Sequence, residues 1–218
     1  MNLKSFRVVI QGLALLFVLH TVASAQELKP IPLPKPQTGG GKPLMQSLKE
    51  RQSARAFSTN NLPPQVLANL LWAAWGVNRP DSGLRTAPSA SNRQELDVYV
   101  TTSNGLFRYD AKAHALQPIL TNDVRGATGM QPFVKEAPVN LIYVADFARA
   151  GNGTDEDKLL CAADCTGSIS QNVYLFCASE GLTTVVRGMV PKADLAKIMK
   201  LRPEQKIILA QTVGYPAK

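Results

Sequence analysis

The sequence predicts one α+β domain behind a removable N-terminal leader, and three observations carry that expectation. The 218 residues match the length of a single domain. The composition, 45% hydrophobic and 18% charged, is globular and excludes a disordered chain, a collagen or a disulfide scaffold. Strand-period and helix-period segments follow one another without a βαβ repeat or an internal repeat.

Met1 to Ala25 has the layout of a secretory signal peptide. Lys4 and Arg7 open it, Val8 to Leu19 is apolar apart from Gln11 and Gly12, and Ala23-Ser24-Ala25 forms a small-x-small cleavage site before Gln26. The apolar run falls short of the roughly 18 residues that a membrane span needs, so cleavage and a periplasmic or secreted location are expected. No Cys follows to take a lipid, and nothing later reads as a membrane span.

Cleavage removes two cations, leaving 22 Lys and Arg against 16 Asp and Glu, a formal charge of +6. That balance favours an anionic ligand or surface. The basic residues are scattered, without the dense stripe or interleaved aromatics of a nucleic-acid binder, so no nucleic-acid partner is expected. With His20 in the leader, only His114 remains, which disfavours a multi-His metal site or a Ser-His-Asp triad. Cys161, Cys165 and Cys177 fall within one expected helix, where rigid spacing opposes a disulfide. Free thiols and no metal are expected.

Residues 26–43 read as an extended tether, with Pro30, Pro32, Pro34 and Pro36 alternating with other residues and Gly39-Gly40-Gly41 closing it. The domain proper spans 44–218. A first helix runs through Leu44, Leu48 and Arg51. A second starts at Pro63-Pro64 and presents Val66, Leu67, Leu70, Leu71, Ala74 and Trp75 at helical spacing up to Gly76. Leu96 to Thr102 is a strand, and 106–109 and 115–120 form a hairpin around Asp110-Ala111-Lys112. The apolar run Val139 to Ala145 is a buried central strand. Thr154 and Asp157 form a capping box for a long helix that ends at Gly181. A strand at 183–187, a short helix at 192–201 and a strand at 207–213 complete the chain.

Three clusters could carry chemistry. In Arg51-Gln52-Ser53-Ala54-Arg55, the two arginines share a helix face if the helix continues that far; two guanidinium forks and a hydroxyl suit a phosphate or another anion. The loop Pro88-Ser89-Ala90-Ser91-Asn92-Arg93-Gln94 offers donors and acceptors to a polar heterocycle. At Glu180-Gly181-Leu182, glycine can free a backbone N–H for close approach to a ligand, though it also serves as a helix C-cap.

In this order and spacing, with Gln171-Asn172 and the closing Val213-Gly214-Tyr215-Pro216, these clusters resemble the flavin-dependent nitroreductase superfamily from about Leu44 to Lys218. The stretch Gly105 to Asp110 followed by His114-Ala115-Leu116 is similar to the SagB-type branch. The resemblance implies a three-layer fold, a mixed β-sheet flanked by helices, in an intertwined homodimer with FMN at the interface. It implies that Arg51 and Ser53, with Gln52 beside them, hold the phosphate and ribityl end, and that Arg55 lies near N1 of the flavin. Pro88, Ser89 and Asn92 would come from the other subunit. Gly181 and Arg55 would form the reactive centre, with the Gly181 N–H at N5, Glu180 would join the cofactor-binding residues, and Lys218 would lie at the phosphate. The activity implied is two-step electron or hydride transfer through FMN to a small organic acceptor such as a quinone or a nitro compound. A SagB-like dehydrogenase of a peptide or small molecule, or a non-catalytic flavin-binding protein, are the alternatives. The sequence has no adjacent Lys-Tyr pair, which disfavours ring oxidation, and Glu95 follows Gln94 where many relatives have proline.

Overall fold

The structure is a computed structural model and describes residues 28–217; the expected leader and Lys218 lie outside that range. The elements are β1 (Ile31–Pro32), α1 (Leu44–Glu50), α2 (Pro64–Trp75), β2 (Val77–Arg79), β3 (Leu84–Arg85), β4 (Leu96–Thr102), β5 (Gly105–Asp110), β6 (Ala115–Leu120), β7 (Val139–Asp146), α3 (Asp155–Glu180), β8 (Thr183–Arg187), α4 (Lys192–Ile198) and β9 (Gln205–Gly214). Seven strands form one sheet in the order β1-β6-β5-β4-β7-β9-β8.

Every pairing in that sheet is antiparallel, which corrects the mixed sheet implied by the resemblance. Strands β7 and β8 run in the same direction through the α3 crossover. They are not neighbours, because β9 lies between them and pairs antiparallel with each. The hydrophobic run of β7 is explained by its place: all eight residues are buried. Val139, Leu141, Tyr143 and Ala145 face one core with α2 and α3, while Ile142 and Val144 face a second core with Leu195 and Met199 around α4. The two-residue period of a strand thus separates the helix layers.

The long helix α3 carries the site. The Thr154 hydroxyl accepts the Asp157 N–H at 3.1 Å while the Asp157 carboxylate accepts the Thr154 N–H at 3.0 Å. Three acids in the first turn add charge where the helix dipole favours it. At about 1.5 Å per residue, its 26 residues span roughly 39 Å. Among the described residues, no helix is long and apolar enough to cross a membrane.

The expected tether is extended, and it is also docked. Strand β1 pairs with β6, the Leu33 N–H donates to the His114 carbonyl at 3.0 Å, and Gln65 Nε2 donates to the Lys35 carbonyl at 3.0 Å. His114 clamps the segment: Nε2 lies 2.9 Å from the Pro34 carbonyl and Nδ1 2.9 Å from the Tyr109 hydroxyl. A carbonyl only accepts, so Nε2 carries the proton and Nδ1 accepts from Tyr109. Burial lowers the His114 pKa below its ordinary 6.5, with the Pro34 bond opposing in part. A neutral histidine favoured by folding stabilises above the unfolded value, and that contribution is lost as pH falls through the lowered folded one. Hydrogen exchange at Leu33 should therefore speed up, relative to intrinsic exchange, as pH drops below about 6.5. Equal protection at pH 5 and pH 7.5 would show that His114 does not hold the segment.

Candidate functional site

A cavity of about 650 Å³ opens where the end of α3, the start of β8, the chain after α1 and the C-terminal segment converge. The local sequence explains the convergence. Helix α1 stops at Glu50, and Arg51 leaves it with φ −56° and ψ 121°. The helix expected to run through Arg51 stops one residue earlier, and the condition for a face shared by Arg51 and Arg55 is not met. The chain instead runs beside the sheet edge: the Ala54 N–H donates to the Thr184 carbonyl at 3.1 Å and the Ser58 N–H to the Tyr215 carbonyl at 2.9 Å. Phe57 and Pro216 form an antiparallel bridge. Strand β8 has β9 on one side only, so its other edge is free to take Ala54.

Tyr174 organises this junction, and sequence reasoning missed it. Its hydroxyl accepts the Val186 N–H at 3.0 Å and shares a hydrogen bond with Ser53 Oγ at 2.7 Å. The Arg51 guanidinium lies 5.2 Å from the centre of its ring, a cation–π contact. One tyrosine thus holds Arg51 and Ser53 of the anion-binding cluster against α3 and β8. The only signal in the sequence was a tyrosine next to Val173 on a helix whose buried stripe otherwise holds small, aliphatic, hydroxyl and thiol side chains, and nothing there showed that its hydroxyl would be used.

Gln52, Ala54 and Ala56 line the cavity together with Arg51. Arg55 is exposed and does not line it. The cations that line it are Lys42, Lys49 and Arg51, set against the single carboxylate of Glu50. Lys42 comes from the segment expected to be only a tether; its Nζ donates to Glu50 Oε2 at 2.6 Å and to the Ala178 carbonyl at 3.1 Å. That contact holds the Glu50 carboxyl below its usual range. Lys49 and Arg51 are left to face an anion.

Gly181 closes α3 in the left-handed region at φ 69°. Its N–H donates to the Cys177 carbonyl, as does that of Leu182 at 2.9 Å. The Gly181 N–H expected at a ligand caps the last turn of α3 in this chain. What glycine leaves at the cavity is clearance, since a Cβ there would meet nothing within 4 Å. Glu180 is exposed and lines a neighbouring cavity instead, its Oε1 accepting from Ser179 Oγ at 3.1 Å. Cys177, which does line the site, is fully buried, and burial pushes its thiol far up.

The second cluster is elsewhere. The Ser89 hydroxyl accepts the Gln94 N–H at 3.0 Å, and Gln94 ties the loop to Arg85, Gly83 and Asn92. Ser91, Asn92 and Gln94 all have positive φ, a costly arrangement for side-chain-bearing residues. Pro88 fixes the loop to the middle of α3, its carbonyl accepting from Cys165 Sγ at 3.2 Å. Cys165 precedes Gly181 by 16 residues, about 24 Å along a helix. One chain therefore does not bring Pro88, Ser89 and Asn92 to Arg51 and Gly181. Glu95, beneath this loop, is 1% exposed, and neither of its carboxylate oxygens has a partner among the described residues. Its charge adds to burial in pushing the Cys165 thiol up to about 12.

The nitroreductase family model matches residues 48–215. A Methanocaldococcus jannaschii protein named as a nitroreductase is 28% identical over 165 residues, covering 71% of this chain and 83% of its own. Among solved structures, one named as a nitroreductase from Ralstonia eutropha has a TM-score of 0.83 and 41% identity, covering 88% of this chain and 92% of its own. Another so named, from Desulfovibrio desulfuricans and in complex with FMN, has a TM-score of 0.59 and 19% identity, covering 82% and 89%.

Proposed function

The chain belongs to the nitroreductase family, and from that premise we propose that its cationic cavity holds FMN and that the protein is an exported oxidoreductase of the SagB-type branch. The observation that carries the cofactor assignment is the cavity itself. Its 650 Å³ lies within the roughly 300–1,000 Å³ of small-molecule sites, and two cations without an acidic partner among the described residues, Lys49 and Arg51, face it.

When bound, FMN supplies acceptance and donation of an electron pair, which the protein's own side chains cannot provide. Arg51 offers a planar fork to the phosphate, and Lys49 a second positive charge. Tyr174 fixes the approach of Ser53 and Arg51. Gly181 leaves room for the ring by having no side chain. Gln52 is assigned to the ribityl end beside Ser53, and Glu180, which lines the neighbouring cavity, to the cofactor on the family resemblance. Arg55 and Lys218 are assigned to the cofactor on the family resemblance alone. The acceptor is a small organic molecule such as a quinone or a nitro compound, reduced in the second of two half-reactions.

The protein acts as a homodimer, because Ser89 and Asn92 reach the cavity only from a second chain. Mixing tests this. Arg51→Ala and Asn92→Ala proteins should each bind FMN weakly. A denatured and co-refolded mixture should regain a fraction of tight sites, since one site of each heterodimer carries neither change. No recovery from a mixture shown to contain heterodimers would place both residues in one chain's site.

A further inference from the structure

Folding gathers basic residues that look scattered along the chain. On the face of the sheet away from α2 and α3, the end of α4 and the start of β9 border an open concavity of about 680 Å³. Lys192, Lys197, Lys200, Arg202 and Lys206 line it, and no carboxylate does. Residues 192–206 hold these five cations against Asp194 and Glu204, a formal charge of +3, which is half of the +6 of the expected mature chain. The packing of α4 explains the gathering. Leu195 and Met199 turn into the core with Ile142 and Val144, which leaves Lys192, Lys197 and Lys200 at the surface, and Lys206 is exposed where β9 begins.

The cations differ in what they already do. Arg202 pairs with the buried carboxylate of Asp146 and has Glu204 at 3.9 Å. Lys197 meets Asp194 at 3.1 Å, but both are so exposed that the pair holds neither charge firmly. Lys192, Lys200 and Lys206 have no ion-pair partner among the described residues. Between them the floor is apolar, formed by Ala196, Leu201, Pro203 and Ile207.

Three lysines on flexible stems set no fixed geometry for one small anion, and the guanidinium fork in the group is committed to Asp146. No aromatic ring lines the concavity to stack on a base. Cations around an apolar floor match an extended layer of negative charge over hydrocarbon. We propose that the face formed by α4 and the start of β9 docks on an anionic lipid bilayer, with Lys192, Lys200 and Lys206 meeting headgroup phosphates. This face lies across the sheet from α3, so docking stands independently of the flavin assignment.

Sedimentation with vesicles tests the docking face, using the mature form expected to begin at Gln26 so that the leader adds no lipid affinity. The protein should pellet with vesicles of phosphatidylglycerol and phosphatidylcholine in equal parts and stay in solution with phosphatidylcholine alone. Binding should fall steeply between about 0.05 and about 0.5 M salt. A lysine near an anionic surface contributes roughly fivefold in affinity, so Lys192→Gln, Lys200→Gln and Lys206→Gln together should weaken binding about a hundredfold. If that protein does not fold, Lys192→Gln with Lys206→Gln should still lose more than about tenfold. Lys29→Gln, Lys112→Gln and Lys135→Gln, which remove the same charge from exposed positions elsewhere, should weaken it only a few-fold. Equal loss in the two triple variants, or equal binding to the two kinds of vesicle, would overturn the proposal. So would tighter binding of duplex DNA or polyglutamate than of anionic vesicles at the same salt, which would assign the face to a macromolecular partner.

Discussion

Arg51→Ala should weaken FMN binding roughly ten- to hundredfold while leaving the protein folded. A hydrogen bond to a charged group contributes about 1.5–3 kcal/mol, and each 1.4 kcal/mol is about tenfold in affinity. The folded state loses little, because the Arg51 guanidinium makes a cation–π contact with Tyr174 and no ion pair among the described residues. Such a contact at a partly exposed position contributes on the order of 0.5–1 kcal/mol. Arg51→Lys should fall between wild type and alanine, keeping charge but losing the fork. Flavin fluorescence titration measures all three. Wild-type affinity in Arg51→Ala would move the anion site away from this cavity.

Glu95→Met should raise the melting temperature. The carboxylate is buried, and neither oxygen has a partner among the described residues. Leaving a buried polar group unpaired costs on the order of 1–3 kcal/mol, and an apolar side chain of similar length removes that cost. For a domain of this size, each kcal/mol moves the midpoint by about 2–4 °C. Calorimetry on the two proteins should show a gain of several degrees. An unchanged or lower midpoint would mean that the carboxylate is satisfied in the assembled protein and that Glu95 has a partner outside this chain.

The regular elements were legible because their signals are local. The alternation in 96–102, the capping box at Thr154 and Asp157, and Gly181 beyond the last turn each state their own conformation, and the structure has all three. The end of α1 was not local. Nothing in Arg51 to Arg55 forbids a helix; the segment is extended because β8 and the C-terminal segment take its backbone hydrogen bonds. The antiparallel sheet was hidden for the same reason, since the insertion of β9 between β7 and β8 is a decision of topology.

The site divides in the same way. Arg51, Gln52 and Gly181 were found from residue type, and they do line one cavity. Lys42 was lost inside a proline- and glycine-rich stretch whose composition signals only a linker, and Tyr174 inside a core stripe. The Gly181 N–H donates to the Cys177 carbonyl, an outcome of the helix end that residue type alone did not state. Ser89 and Asn92 form a hydrogen-bonding loop, as expected, but at the other end of α3's contact with Pro88, a distance that no reading of a single chain's motifs could supply.

The most direct test of the account is a titration of the flavin-stripped protein with FMN, followed by flavin fluorescence. The cavity at the end of α3 predicts saturable uptake of one FMN per chain, with riboflavin binding more weakly because Lys49 and Arg51 then have no phosphate to meet. No saturable uptake, or equal affinity for riboflavin and FMN, would contradict the assignment of that cavity.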